Sequence, residues 1–180
     1  VGKRAGLRST AQTLINQQIV SYAQQYPLVV RLKGGDPMLF GRADEELRAL
    51  EEAGISYDIV PGITTALAAA AATRQPLTKR GIARSVALFT STNGQGEPEQ
   101  HSLPACDTLV QYMGGREAIA TAERLLAQGQ PAELPVIAVE NCSRANQRIF
   151  RMTLAELSQG LPETTGPVLV MAGWAMQERR

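Results

Sequence analysis

The sequence predicts an α/β fold built on a parallel sheet. Three observations carry that prediction. Stretches with helical spacing alternate with short apolar runs along the first half of the chain. The runs are four to six residues long, the length of buried strands, and each is bounded by Gly, Pro or polar residues. Glycine-bearing loops follow several of the runs, at the strand ends where open α/β sheets bind ligands.

Taken in order, Ser9 to Gln25 reads as a helix. Ser9 or Thr10 can cap it, and Leu14, Ile15, Gln18, Ile19 and Tyr22 follow the helical period until Pro27 breaks it. Leu28 to Leu32 is the first strand, and Lys33-Gly34-Gly35-Asp36-Pro37 is the loop at its end. Ala43 to Ala53 is a helix stopped by Gly54. Tyr57 to Val60 is a strand, and Pro61-Gly62 turns the chain into a helix over Ile63 to Thr73.

Gln75 to Arg84 holds Pro76 and Gly81 and reads as a linker, which divides the chain into domains at 1–80 and 81–180. The second domain opens with a strand, Ser85 to Thr90, and a loop, Asn93 to Pro104, whose Gly, Pro and polar content predicts mobility. A strand over Asp107 to Met113, a helix over Arg116 to Gln128 and a strand over Pro135 to Glu140 follow. Gln147 to Met152 is a strand, Thr153 caps a short helix over Leu154 to Ser158, and Val168 to Ala172 is the last strand.

Composition bounds the class. Apolar residues make up 44% of the 180 and charged residues 19%, which is ordinary globular usage with enough material for a core. The longest apolar stretch, Ile63 to Ala72, falls short of the ~20 residues that span a bilayer, and no signal peptide is visible. Cys106 and Cys142 lack metal-site or redox-pair spacing and read as thiols in a reducing cytoplasm. A single histidine, His101, argues against a multi-histidine metal site.

The net charge of +1 is unevenly spread. Residues 1–84 carry eleven Lys/Arg and seven Asp/Glu, giving +4; residues 85–180 carry seven and ten, giving −3. That asymmetry does not point to nucleic acid, but it suits an anionic small molecule held at a local basic patch. A solvated charged surface would read the same way.

Four loops are candidates for chemistry. Gly34-Gly35-Asp36-Pro37 lets a ligand approach the main chain, and Asp36 offers acceptors to a hydroxyl or an ammonium group. The same residues would also make a tight Asp-Pro turn. Pro61-Gly62-Ile63-Thr64-Thr65-Ala66 sits at a strand-to-helix junction, where unpaired N–H groups and two hydroxyls gather; it reads equally as a plain cap. Tyr112-Met113-Gly114-Gly115 ends a strand with a side chain that can pack on a flat ring or simply fill core. Val1-Gly2-Lys3-Arg4-Ala5-Gly6 is a basic loop or a solvated turn. No Gly-Lys-Ser/Thr follows the glycines of the first loop, and no Gly-x-Gly-x-x-Gly follows a strand. A P-loop and a nicotinamide fingerprint are therefore set aside.

Taken together and in order, these motifs resemble those of the uroporphyrinogen-III C-methyltransferases, within the tetrapyrrole methylases. The stretches are VGKRAG, INQQIV, VVRLKGGDPMLFGR, AGISYDIVPGIT and PLTKRG, then LVQYMGG, PVIAVENCS, QRIFRMTLAEL and GPVLVMAG. The resemblance covers essentially the whole chain and is strongest through Pro76-Leu77-Thr78.

That resemblance implies two α/β domains with S-adenosylmethionine in the cleft between them, S-adenosylhomocysteine as product, a cytoplasmic homodimer, and no nucleic-acid or membrane partner. The implied reaction is methylation of uroporphyrinogen III to precorrin-2, through precorrin-1, for sirohaem or cobalamin. Cofactor contacts carry over to Gly34, Gly35, Asp36, Leu39, Thr64, Thr65, Met113 and Cys142. Cys142 stands where the family usually has Gly, which implies a main-chain contact. Lys3 matches a family proton donor. The family's proton-accepting aspartate, its Gly-Pro-Gly-Asp loop and its first strand would precede Val1, so a fragment or proteolysed form is expected.

The anionic tetrapyrrole's carboxylates would meet Arg4, Arg8, Lys79 and Arg80, with Lys3 and Arg84 also in reach. Thr78-Lys79-Arg80 and Thr90-Ser91-Thr92 replace the family's frequent Thr-His-Arg and Thr-Gly-His. The acceptor is accordingly open to the alternatives used by relatives: later corrin precursors, a diphthine intermediate or ribosomal RNA ribose. A non-catalytic S-adenosylhomocysteine-binding paralogue or fragment is the reading from a different class.

Overall fold

A computed structural model describes residues 11–91 and 103–178. The contacts divide the chain into two compact units, Val1–Thr64 and Thr65–Arg180. The division falls earlier than the expected boundary after residue 80. The cause is the helix that begins at Thr65: Ala66 and Ala69 are fully buried in the second unit's core.

In the first unit, α1 (Gln12–Gln25) and α2 (Ala43–Glu52) are held by polar groups more than by apolar ones. Of the stripe expected on α1, only Ile15 is buried, while Leu14 and Tyr22 are exposed. Gln12 donates to Glu46 at 3.2 Å and Asn16 to the Glu45 carbonyl at 3.0 Å. Ala11 stands at the α1 N-cap without a side-chain bond; the expected caps Ser9 and Thr10 lie outside the described residues. Gly54 ends α2 as expected. Its left-handed backbone (φ +67°) lets the Ile55 amide reach back to the Leu50 carbonyl at 2.9 Å.

The strands expected over Leu28–Leu32 and Tyr57–Val60 are not formed: no ladder includes those residues. A strand needs a partner for its amides and carbonyls, and these runs have none among the described residues. Leu28, Val30 and Leu32 are exposed, as is Val60.

The second unit holds α3 (Thr65–Thr73), β1 (Val86–Thr90), β2 (Thr108–Tyr112), α4 (Ala118–Ala127), β3 (Pro135–Glu140), β4 (Arg148–Thr153), α5 (Leu154–Ser158), β5 (Val168–Ala172) and a 3-10 turn at Trp174–Met176. The five strands form one sheet in the order β1-β2-β5-β3-β4. It is mixed, not parallel: β1 and β2 pair parallel, and the other three pairs are antiparallel. The connection between β3 and β4 is too short for the crossover a parallel pair needs, so the two fold back on each other.

Alternation along the strands sorts the core into two layers. Leu109, Val136, Ala138, Val168, Val170 and Ala172 pack against α4 and α5; Val110, Ile137, Val139, Leu169 and Met171 pack against α3 and the final 3-10 turn. Both faces are covered, which is why β3 and β5 read as unbroken apolar runs. Thr153 caps α5 as expected, and the structure adds a reciprocal bond to the Glu156 side chain. Of the loop expected to be mobile, residues 92–102 lie outside the described residues, and Leu103 is buried against the core.

Candidate functional site

In the first unit, the loop after residue 32 is tied down by charge. Lys33 reaches the Gly41 carbonyl and, at 2.9 Å, Glu46; Arg31 meets Glu46 at 3.0 Å. Burial pushes the Glu46 carboxyl up, but hydrogen bonds from Lys33, Arg31 and Gln12 outweigh it and hold the group below its ordinary range. Glu46 therefore ties the entry to the Gly34–Arg42 loop to α2, and Lys33 also grips the loop's far end at Gly41, a role no local pattern in the sequence announces. At the end of that loop Arg42, in a left-handed conformation at the start of α2, pairs in a forked manner with Glu45.

Within the loop, Gly35 is left-handed (φ +74°) and Asp36 turns the chain. The Asp36 carboxylate accepts the Met38 amide at 2.8 Å and the Gly62 amide at 3.0 Å, and these bonds hold it below the usual carboxylate range, Gly62 contributing most. The Asp-Pro turn is thus realised, and it joins two of the four sequence motifs. The fit is close: a Cβ on Gly62 would lie 2.1 Å from the Gly35 carbonyl oxygen. Gly34, Gly35, Asp36 and half-buried Leu39 are brought together with the segment that runs through Gly62 to Thr64. Gly34 has open space around its α-carbon, so its main chain is accessible from that side.

In the second unit, the C-terminal ends of β1, β2 and β3 share one edge of the sheet, because β2 and β3 each run antiparallel to β5 between them. Met113 follows β2 there, left-handed at φ +55° and well exposed. Cys142 follows β3, between left-handed Asn141 and Ser143, and packs half-buried on the α3-side core. Thr65, at the start of α3, is drawn to the same edge: the Tyr112 hydroxyl accepts the Ala66 amide at 3.1 Å. The structure therefore brings Thr65, Met113 and Cys142 to one end of this unit.

Lys79 and Arg80 stand elsewhere. They form a turn closed by paired bonds between Lys79 and Ala83, and the nearby Leu77 carbonyl is bound by Thr108 at the opening of β2. That is the opposite end of the sheet from Met113. Lys3, Arg4 and Arg8 lie outside the described residues.

Two polar groups at the Met113 edge escaped sequence reasoning. Glu140 is buried at the end of β3, where Arg148 meets it at 2.6 Å and the Thr165 and Gly166 amides donate to it at 2.6 and 2.8 Å. With Arg148 the main cause, its carboxyl is lowered to about 2. The visible signal is a Glu closing an apolar strand with an Arg opening the next, directly opposite in register. The second is Gln111, buried at the end of β2, which donates to Ser91 at 2.6 Å and Thr121 at 2.8 Å. Among the described residues no cluster of His, Cys, Asp or Glu could hold a metal ion, and no helix is long and apolar enough to cross a membrane.

A family model for tetrapyrrole (corrin/porphyrin) methylases matches residues 1–158. Siroheme synthase 2 of Cronobacter sakazakii is 44% identical over 176 residues, 96% of this chain and 38% of its own length. Siroheme synthase of Escherichia coli is 43% identical over 175 residues, again 96% and 38%. The chain thus spans well under half of the curated relatives it matches. Among solved structures, uroporphyrin-III C-methyl transferase from Thermus thermophilus, complexed with S-adenyl homocysteine, superposes with a TM-score of 0.82 at 34% identity, covering 91% of this chain and 74% of that one. The chain belongs to the tetrapyrrole methylase family.

Proposed function

We propose that this chain carries an S-adenosylmethionine-dependent C-methylation of a tetrapyrrole, with uroporphyrinogen III as acceptor and precorrin-2 as product. The observation that carries the reading is the gathering of Thr65, Met113 and Cys142 at one edge of the second unit's sheet, the edge where α/β folds take ligands. Family membership and a solved relative holding S-adenosylhomocysteine support the choice of donor.

The residues suit such a molecule. A purine needs a flat apolar wall, and the exposed Met113 thioether offers one. An amino-acid tail and ribose need main-chain donors and acceptors, and Gly34, Gly35, Thr64 and Thr65 are the residues proposed to supply them. Asp36 accepts one amide on each oxygen, from Met38 and Gly62, which holds the glycine loop in shape and leaves acceptor capacity for the proposed cofactor contact. Cys142 is proposed to contribute main chain, set between left-handed Asn141 and Ser143.

Bound S-adenosylmethionine supplies an electrophilic methyl on sulfur, and a reduced pyrrole carbon is nucleophilic enough to need no activated side chain. The protein's share is alignment and exclusion of water. A proton then leaves the macrocycle, and Lys3 is the proposed group to move it. Arg4, Arg8, Lys79 and Arg80 are proposed to meet the acceptor's carboxylates; assembly as a homodimer in the cytoplasm belongs to the same proposal.

Methyl transfer from labelled donor, assayed on uroporphyrinogen III and on precorrin-2 side by side, tests the reading. Label on uroporphyrinogen III supports it. Label on precorrin-2 alone moves the chain to a later corrin step, and binding of S-adenosylhomocysteine with no transfer to either makes it a binding protein.

A further inference from the structure

We propose that the Tyr112 hydroxyl is a positioning group for the methyl donor, setting the start of α3 against Met113; this rests on the donor site proposed above.

The first turn of a helix has N–H groups with no partner inside the helix. The Ala66 amide belongs to the first turn of α3, and the group that takes it comes from β2, far along the chain: the Tyr112 hydroxyl, at 3.1 Å. The Tyr112 ring packs on the core layer that contains Ala66 and Ala69, so hydroxyl and ring together form a strut between helix and sheet. The residues at its two ends are Thr65, one position before Ala66, and Met113, one position after Tyr112.

Met113 is itself constrained. Its left-handed backbone is unusual for a residue with a long side chain and persists only where neighbours fix it. Tyr112 is anchored on one side through Ala66. On the other, the Gly114 amide bonds the Val168 carbonyl at 2.9 Å, and a Cβ on Gly114 would come within 3.0 Å of Val170. Met113 is held in its outward pose from both flanks. A phenylalanine would fill the ring's space equally well, so the hydroxyl serves placement and not packing.

The test is Tyr112→Phe in the full chain, read by calorimetric titration with S-adenosylhomocysteine, thermal unfolding, and hydrogen exchange of the segment around Ala66. The expected result is a dissociation constant raised about five-fold, the scale of one lost hydrogen bond. Exchange around Ala66 should quicken while β3 and β5 stay protected, and the unfolding temperature should fall by no more than about 2–4 °C, the scale of one lost hydrogen bond. In the transfer assay the KM for the donor rises and kcat stays near wild type. Wild-type affinity in the variant overturns the proposal while leaving the donor site intact. A larger fall in unfolding temperature, with β3 and β5 losing protection too, also overturns it, since the hydroxyl would then be merely structural. A wild-type chain that does not bind S-adenosylhomocysteine overturns the site and this inference together. Should the phenylalanine variant fail to fold, Ala66 exchange in the wild-type chain decides: slowing on addition of S-adenosylhomocysteine supports the strut, and no change overturns it.

Discussion

The Asp36 carboxylate accepts the Gly62 amide at 3.0 Å, joining two loops separated by the whole of α2. Its other oxygen holds Met38 at 2.8 Å, so one side chain sets the shape of the glycine loop and its distance from the approach to Thr64. A group used this way acts on affinity through geometry.

Replacing Asp36 with Asn leaves one acceptor oxygen for two main-chain donors and turns an NH2 toward the other. Affinity for S-adenosylhomocysteine is expected to fall about ten-fold, the scale of a lost charge-assisted bond. Calorimetric titration measures it, and wild-type affinity would show that the loop needs no such tie.

Gly62→Ala tests the close approach itself. The added Cβ would sit 2.1 Å from the Gly35 carbonyl oxygen, against rigid main chain, so the loops must separate. The expected loss is about 1–3 kcal/mol of stability, as for overpacking elsewhere, measured by denaturant titration. No loss would mean that the two loops part freely.

The helix–sheet seam of the second unit gives a matched pair of substitutions. Ala69 is fully buried, whereas Ala71 on the same helix is exposed. Ala69→Leu is expected to cost about 1–3 kcal/mol and Ala71→Leu under about 0.5 kcal/mol. Equal effects would contradict the seating of α3 on that face.

These elements also show what the chain reveals locally and what it does not. Gly54, Thr153 and the apolar runs of β3 and β5 are legible because cap, turn and strand signals act over a few residues. The direction of β5 is not, since a buried run looks alike whichever way its neighbours point. Leu28–Leu32 reads as a strand by composition, yet strand formation depends on a distant partner that composition cannot supply. Of the candidate site, the glycine loops and Met113 were visible as motifs. Tyr112 was visible in the same motif, but its bond to Ala66 and the role of Glu46 were not, because those partners lie on other elements, reached only through tertiary folding.

Glu140 makes a pH prediction. Its carboxyl falls from an ordinary 4.5 to about 2 in the folded chain, chiefly through Arg148. Its contribution to stability is therefore full above pH 4.5 and is lost as pH drops from there toward 2. Glu140→Gln should unfold at a lower temperature at pH 7 and lose less than wild type between pH 5 and pH 3. Thermal melts across that range check it; parallel curves would refute the assignment.

Lys79 and Arg80 lie at the end of the sheet away from Met113, so their neutralisation should separate acceptor from donor. The double alanine variant is expected to raise the acceptor KM with donor affinity unchanged. An equal fall in donor affinity would mean that the pair does not form a distinct acceptor patch.

A crystal of this chain grown with S-adenosylhomocysteine is the most direct measurement. The expected result is the ligand in contact with Thr65, Met113 and Cys142, its ring plane against the Met113 thioether. Density for the ligand at any place that leaves those three residues untouched would contradict it.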